Sequence, residues 1–220
     1  MRKFSLILTL LTLLTAFCAI IALSVGRFSV PFLDVLAALL NSAGFNFEVA
    51  SNAQNVIENL RLPRVIAAVL VGAALSISGA AYQGVFRNQL VSPDLLGVSA
   101  GACVGAAVAI VLDLGLFWIQ SLAFICGLVA VCLTLLIPKL MGKNSTLMLV
   151  LSGIIVSGLM ASVIGLLKYI ADPETKLPDI VYWQLGSLAK IDAGNLKLIA
   201  PAMIICAALL VACLLYTSPS

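Results

Sequence analysis

Six stretches of this chain are apolar over membrane-spanning lengths: residues 4–25, 64–83, 95–112, 117–137, 147–167 and 198–216. A helix rises about 1.5 Å per residue, so roughly 20 residues cross a hydrocarbon core. None of the six alternates apolar and polar at period two, as a barrel strand of half that length would. The pattern predicts an all-α, polytopic membrane helix bundle with about six transmembrane helices. Residues 30–40 repeat apolar positions at near-helical spacing after Pro31, which predicts a short interfacial helix. Residues 41–59, rich in asparagine and alanine, read as a surface loop. Residues 138–146 form a short turn carrying Lys139 and Lys143. Residues 168–195 hold Asp172-Pro173, Leu177-Pro178 and Trp183, the mark of a turn-rich segment with an aromatic anchor at the bilayer edge.

Small residues interrupt the apolar runs in register. Gly72, Ser76, Gly79 and Gln83 fall on one helical stripe about 40° to 60° wide. Gly97, Gly101 and Gly105 recur at every fourth position, the pattern that lets membrane helices pack backbone to backbone. The fifth run carries two such stripes, Gly153-Ser157-Ala161 and Gly158-Ser162-Gly165, about 140° apart, so it is wedged between neighbours or faces a cavity. In the turn after the second run, Arg87 stands at the negative end of one helix. Ser92, Pro93 and Asp94 suit the cap, first position and positive end of the next. Arg87, Asn88 and Asp94 are helix-end residues on that reading, or else take a direct part in transport.

Composition agrees with the pattern and narrows the chemistry. The chain is 63% hydrophobic and 10% charged, with a mean hydropathy of +1.21, which excludes a water-soluble domain. Met1-Arg2-Lys3 resembles the start of a signal peptide. The apolar stretch that follows exceeds the usual 7 to 15 residues and no A-x-A site ends it, so an uncleaved first span is expected. Histidine is absent, and the six cysteines lie in or beside spans without a C-x-x-C pair, so no metal site, haem ligation or disulfide is expected.

Six spans return the chain to its starting side, and Arg2 with Lys3 point to the cytoplasm as that side, an orientation that rests mainly on a family resemblance. Basic residues do not support the choice: five fall inside (Arg2, Lys3, Arg87, Lys139, Lys143) and seven outside (Arg27, Arg61, Arg64, Lys168, Lys176, Lys190, Lys197). The carboxylates lean the other way, but they count for little in setting orientation. The outer excess has its own reading. Arg61 and Arg64, at the mouth of the second run, are what a docking protein's carboxylates would seek, unless both merely snorkel to headgroups.

The runs R-L-P-R (61–64), G-A-A-L-S-I-S-G (72–79), Q-G-V-F-R-N-Q-L-V-S-P-D-L-L-G-V-S-A-G-A (83–102), L-S-G-I-I-V-S-G-L (151–159) and Y-W-Q-L-G-S-L (182–188) resemble the FecCD family. These are membrane permease subunits of bacterial ABC importers for iron-siderophore complexes, haem and cobalamin. Gln89 departs from the family pattern, which usually has proline there. The resemblance implies a multi-pass protein of the bacterial cytoplasmic (inner) membrane. It also implies ten spans per subunit and a pathway formed with a second permease subunit, as a homo- or heterodimer. Cytoplasmic ATP-binding subunits supply the energy, and a periplasmic or lipoprotein substrate-binding protein pairs its glutamates with Arg61 and Arg64. The resemblance also implies that Ser145 and Thr146 fall near the family's cytoplasmic gate, unless they are ordinary turn residues, and that the fifth run lines the pathway between two permease subunits, unless its stripes serve simple packing. No cofactor is expected on this chain, ATP being used by the partner, and beyond membrane lipid no further partner, in particular no nucleic acid, is implied.

The family's coupling loop follows its sixth span, where this sequence stops. Residues 1–216 are therefore expected to be the N-terminal part of one permease domain, with 217–220 a non-native tail, and such a chain should neither stimulate an ATPase nor transport. No G-x-x-x-x-G-K-[ST] loop occurs, so the chain carries no ATPase site of that kind. A secondary transporter usually places ionisable residues at mid-membrane, and a membrane-embedded enzyme needs converging His, Asp, Cys or Glu. The spans offer neither, which leaves these two readings as the alternatives.

Overall fold

The computed structural model describes residues 2–26, 30–42, 44–45, 47, 49–88, 91–142, 145–189 and 191–217. The departure at Gln89, the turn residues Lys143 and Asn144, Arg27, Lys190 and residues 218–220 lie outside them. In chain order the helices are α1 (Arg2–Ser24), α2 (Phe32–Ser42), α3 (Ser51–Asn55), α4 (Leu62–Phe86), α5 (Val98–Val111), α6 (Leu116–Leu140), α7 (Thr146–Ile170), α8 (Lys176–Leu185) and α9 (Ala193–Thr217). A π-helical turn, Val56–Arg61, joins α3 to α4, and a 3₁₀ turn, Pro93–Leu96, precedes α5. Among the described residues five stretches are long and apolar enough to cross a membrane, in α1, in Asn52–Phe86, and in α6, α7 and α9. They coincide with five of the six predicted runs.

The remaining run differs from its expectation. Residues 95–112 are not one helix: the chain breaks at Gly97, whose φ is +74°, and α5 proper has 14 residues. At 1.5 Å per residue α5 measures only about 21 Å, short of a hydrocarbon core of about 30 Å. Pro93 supplies a fixed φ and no N–H, which suits a helix start. The turn it begins closes as tight 3₁₀ and stops at a residue that can turn left-handed without a Cβ penalty. Gly97 therefore belongs to a junction, and only Gly101 and Gly105 lie in the helix.

Of the loop expected over 41–59, residues 44, 45, 47, 49 and 50 are turn or irregular, but 51–59 depart from it, since α3 and the π turn carry helix upstream of α4 through Asn52–Phe86. Ala53 and Ile57, one helical turn apart, are buried there with Leu23, Val30, Val35 and Ala38. Two apolar contacts thus outweigh the turn preference of the asparagines around them. Residues 168–195, expected to be turn-rich, contain α8. The short helix expected after Pro31 is present as α2.

The chain divides into two compact units. The first comprises Met1–Leu75 with Leu188–Ser220, and its core is the cluster of α1, α2, α3 and the π turn just described. The second, Ser76–Ser187, is built on α5 packed between α6 and α7 around Val104, Ala130, Val156, Met160 and Ile164. A further cluster joins Ala107 and Ile110 of α5 to Ala171 and to Ile180 of α8, with Ile119 of α6 against it. The ends of α5 and α7 thus meet the start of α6, so α5 runs in the sense of α7 and against α6.

Candidate functional site

The second unit is organised around the entry to α5. A Cβ on Gly101 would lie 2.6 Å from the Cys126 carbonyl oxygen, and one on Gly105 would overlap the Leu122 carbonyl. The α5 and α6 backbones therefore touch, which a larger residue at either position would forbid. At the break, Gly97 packs on Ser157, whose Oγ would stand 3.1 Å from an added Cβ, and Gly153 leaves room only for the Leu95 carbonyl. The stripe Gly153-Ser157 is the seat for the 3₁₀ turn.

That seat lies deep. Gly153 is about seven residues, or about 10 Å, into α7, and Thr134 is about six residues, or about 9 Å, from the end of α6. Non-helical backbone at such depth is tolerated only where protein covers it and its polar groups are answered. The Thr134 hydroxyl, fully buried, donates to the Leu96 carbonyl at 3.0 Å. Ser152, buried on α7, donates to the Met148 carbonyl at 2.8 Å. Neither was singled out as a site residue in the sequence, where Ser152 lay within the run 151–159 and Thr134 was a hydroxyl inside an apolar run.

At one end of this unit a cleft of about 430 Å³ is lined by Phe86, Leu135, Pro138, Lys139, Ser145, Thr146 and Leu149. The end of α4, the end of α6 and the start of α7 meet there. Ser145 caps α7, its Oγ accepting the Met148 N–H at 3.2 Å, and Thr146 opens the helix. Of the five turn residues singled out from the sequence, the cleft gathers Ser145 and Thr146. Arg87, Asn88 and Asp94 are not in its wall.

Arg87 terminates α4 in an unusual way. Its φ is +48°, its N–H donates to the Gly84 carbonyl at 3.4 Å, and the Asn88 N–H donates to the Gln83 carbonyl at 3.3 Å. This is the Schellman closure with arginine where glycine is the usual residue. Asp94 is exposed in the 3₁₀ turn. Ser92 occupies the cap position, but among the described residues its side chain makes no capping bond. The Ser92 carbonyl instead accepts the Leu95 N–H at 3.2 Å.

Other small-residue faces are open. Among the described residues nothing stands within 4 Å of a Cβ built on Gly72, Gly79, Gly158 or Gly165. Ser76, Gln83, Ala161 and Ser162 are exposed beside them. Among the described residues the stripes of the fifth run thus divide: Gly153-Ser157 is filled and Gly158-Ser162-Gly165 is not.

In the first unit the two arginines meet backbone. Arg61 donates from Nη1 to the carbonyls of Leu23 at 2.6 Å and Ser24 at 3.0 Å, answering acceptors left over at the end of α1. Arg64 donates from Nη2 to the Ala189 carbonyl at 2.7 Å, and its Nε is buried with no hydrogen-bond partner among the described residues. The end of α1, the start of α4 and the approach to α9 therefore share one end of this unit, so α1 begins and α9 finishes at its opposite end.

In the second unit, at the end away from the cleft, Lys176 of α8 pairs with Asp113, which closes α5 with a φ of +58°. Lys168 donates to the Gln184 side chain at 2.6 Å. The Glu174 N–H donates to Asp172 Oδ1 at 2.8 Å, and this bond holds the Asp172 carboxyl below its ordinary value. Trp183 sits near the end of α8, about a third exposed. Among the described residues no three His, Cys, Asp or Glu side chains gather as metal ligands would.

Comparison with known proteins adds the following. The profile of the FecCD transport family matches residues 13–217. The molybdate import system permease protein of Haemophilus influenzae is 36% identical over 200 residues, covering 91% of this chain and 59% of its own. The hemin transport system permease protein of Yersinia pestis is 37% identical over 153 residues, 67% of this chain and 45% of its own. A solved chain, described as an inward-facing conformation of an ABC transporter of the metal-chelate type, superposes with a TM-score of 0.77 at 35% identity. That match covers 94% of this chain and 61% of the other. The chain spans less than two thirds of the length of these relatives.

Proposed function

This chain belongs to the FecCD transport family, and on that premise we propose that it acts as a permease subunit of a binding-protein-dependent ABC importer for iron-siderophore complexes, haem or cobalamin. The observation that carries the proposal is the family match across residues 13–217, joined by a fold of apolar helices in which, among the described residues, the glycines of one α4 stripe and one α7 stripe meet nothing. In this proposal the Gly158-Ser162-Gly165 face of α7 and the Gly72 to Gln83 stripe of α4 meet a second permease subunit or line the pathway between the two. ATP is hydrolysed by separate cytoplasmic subunits and this chain binds no cofactor. It lies in the bacterial cytoplasmic membrane, with Met1 and the end of α9 on the inner side.

Docking of the substrate-binding protein falls to the end that holds Arg61 and Arg64. Arg64 supplies the charge that a carboxylate partner meets. Arg61 contributes chiefly by fixing the end of α1, because two carbonyls already engage its guanidinium. The cleft edged by Lys139, Ser145 and Thr146 lies on the cytoplasmic side, near the gate.

A second cargo, the molybdate oxyanion, is favoured by the Haemophilus influenzae relative that covers 91% of this chain. Deletion of the gene in its host separates the readings. Loss of uptake of a labelled ferric siderophore, haem or cobalamin supports the first, and loss of molybdate uptake alone supports the second. Unchanged accumulation of all four refutes both.

A further inference from the structure

The segment after α1 carries apolar groups that no part of the transport reading uses. The α1 span, Ser5–Ser24, is 20 residues and so about 30 Å long, which places Ser24 at the edge of the hydrocarbon. Leu23 is buried in one cluster with Val30, Val35 and Ala38, so α2 abuts the end of that span and sits at the bilayer boundary. On α2, Val35 and Ala38 face this cluster, while Leu33, Leu36 and Leu40 recur at i, i+3 and i+7 on the other side. Leu33 is 76% exposed and Leu40 43%.

The chain after α2 is shaped to extend that apolar side. Gly44, at φ +100°, closes α2 in a Schellman turn: its N–H donates to the Asn41 carbonyl at 3.0 Å and the Phe45 N–H donates to the Leu40 carbonyl at 3.1 Å. The Asn41 side chain then clasps the backbone of Phe47 from both sides. Its Nδ2 donates to the Phe47 carbonyl at 3.0 Å, and its Oδ1 accepts the Phe47 N–H at 2.7 Å. The clasp holds two phenyl rings outward, with centroids 6.3 Å apart, each more than half exposed.

We infer that α2 and the Asn41–Phe47 clasp form a membrane-interface anchor, in which Leu33, Leu40, Phe45 and Phe47 enter the acyl-headgroup boundary of the leaflet at the C-terminal end of α1. Lipid is the occupant because the feature lies level with the end of a span, α1, whose own apolar side chains such as Phe17 and Ile21 are exposed. It also offers apolar rings without the charges that protein docking at this end would use. Asp34 is the one charged side chain on α2. Fixing the loop before insertion lowers the entropy lost when the rings enter lipid.

The test uses the full chain in phosphatidylcholine vesicles, with Trp118→Phe and Trp183→Phe as background and Phe45→Trp, Phe47→Trp or Leu33→Trp as single reporters. The expected result is blue-shifted emission, quenched by lipids labelled high on the acyl chain and shielded from iodide, at a depth of about 5 to 10 Å. Adding Asn41→Ala should move the Phe47→Trp emission toward the red at unchanged helix content. Free access of iodide at all three reporters, without lipid quenching, overturns the inference. So does shielding that arises only when a substrate-binding protein is added, which would assign the surface to that protein.

Discussion

Thr134 and Leu96 are joined by a hydrogen bond of 3.0 Å in which the α6 hydroxyl answers a carbonyl of the 3₁₀ turn before α5. Thr134 is fully buried, so water has no access to the acceptor it serves. The bond lets irregular backbone sit about 10 Å inside a helical bundle. Thr134→Val keeps the shape and leaves the Leu96 carbonyl unanswered, at an expected cost of about 1 to 3 kcal/mol. Thr134→Ser should recover most of it. Thermal unfolding in detergent reads both, and equal stability of the valine and serine variants would remove the bond from the account.

The glycines of α5 and α7 separate by what a methyl group would meet. Gly105→Ala and Gly153→Ala drive Cβ into the carbonyls of Leu122 and Leu95, and each should destabilise by about 1 to 3 kcal/mol. Gly158→Ala and Gly165→Ala add Cβ to open space and should leave the stability of the isolated chain unchanged. If the open face meets a second subunit, those two variants lose assembly instead, which crosslinking in the native membrane reads.

Arg87 holds a left-handed conformation that glycine adopts without strain. Arg87→Gly should raise stability by about 1 kcal/mol. Where the arginine serves only the helix end, uptake by the whole transporter stays at the native level. Greater stability with lost uptake would give the guanidinium a direct part in transport.

The two arginines of the first unit predict different losses. Arg61→Ala strips two acceptors at the end of α1 of a charged donor and should cost about 1.5 to 3 kcal/mol, seen as faster proteolysis beyond Ser24. Arg64→Glu should weaken capture of the substrate-binding protein, most at low salt, with membrane insertion intact. The double replacement of Arg61 and Arg64 by glutamate should do the same. Capture at the native level at low salt would exclude these residues as the docking charge.

Asp172 gives a pH dependence of known sign. Its carboxyl titrates below the ordinary value of 3.8 because the ionised form accepts the Glu174 N–H. The turn ahead of α8 therefore has this support in full above pH 3.8 and loses it as pH falls through the lower, folded value. Hydrogen exchange at the Glu174 amide should quicken across that window, and Asp172→Asn should abolish the dependence.

The one-dimensional pattern determined the membrane class and the position of five long helices, because about 20 consecutive apolar residues have no other stable use than a span. It also determined that small residues would recur on helix faces. Which faces would be filled was a matter of tertiary contact: a helical glycine serves at Gly101 to meet Cys126, and at Gly158 it meets nothing among the described residues.

Tertiary structure alone decided the break at Gly97, since an apolar run reads the same whether it is one helix or a turn followed by a short one. What tips the balance is a hydroxyl on α6 and a glycine on α7, both more than 35 residues away in sequence. The helical course through Ala53 and Ile57 was likewise hidden, because asparagines favour turns until a buried cluster repays the helix. Arg61 shows the same limit, for its charge was legible in the sequence and its two carbonyl partners, 37 and 38 positions earlier, were not.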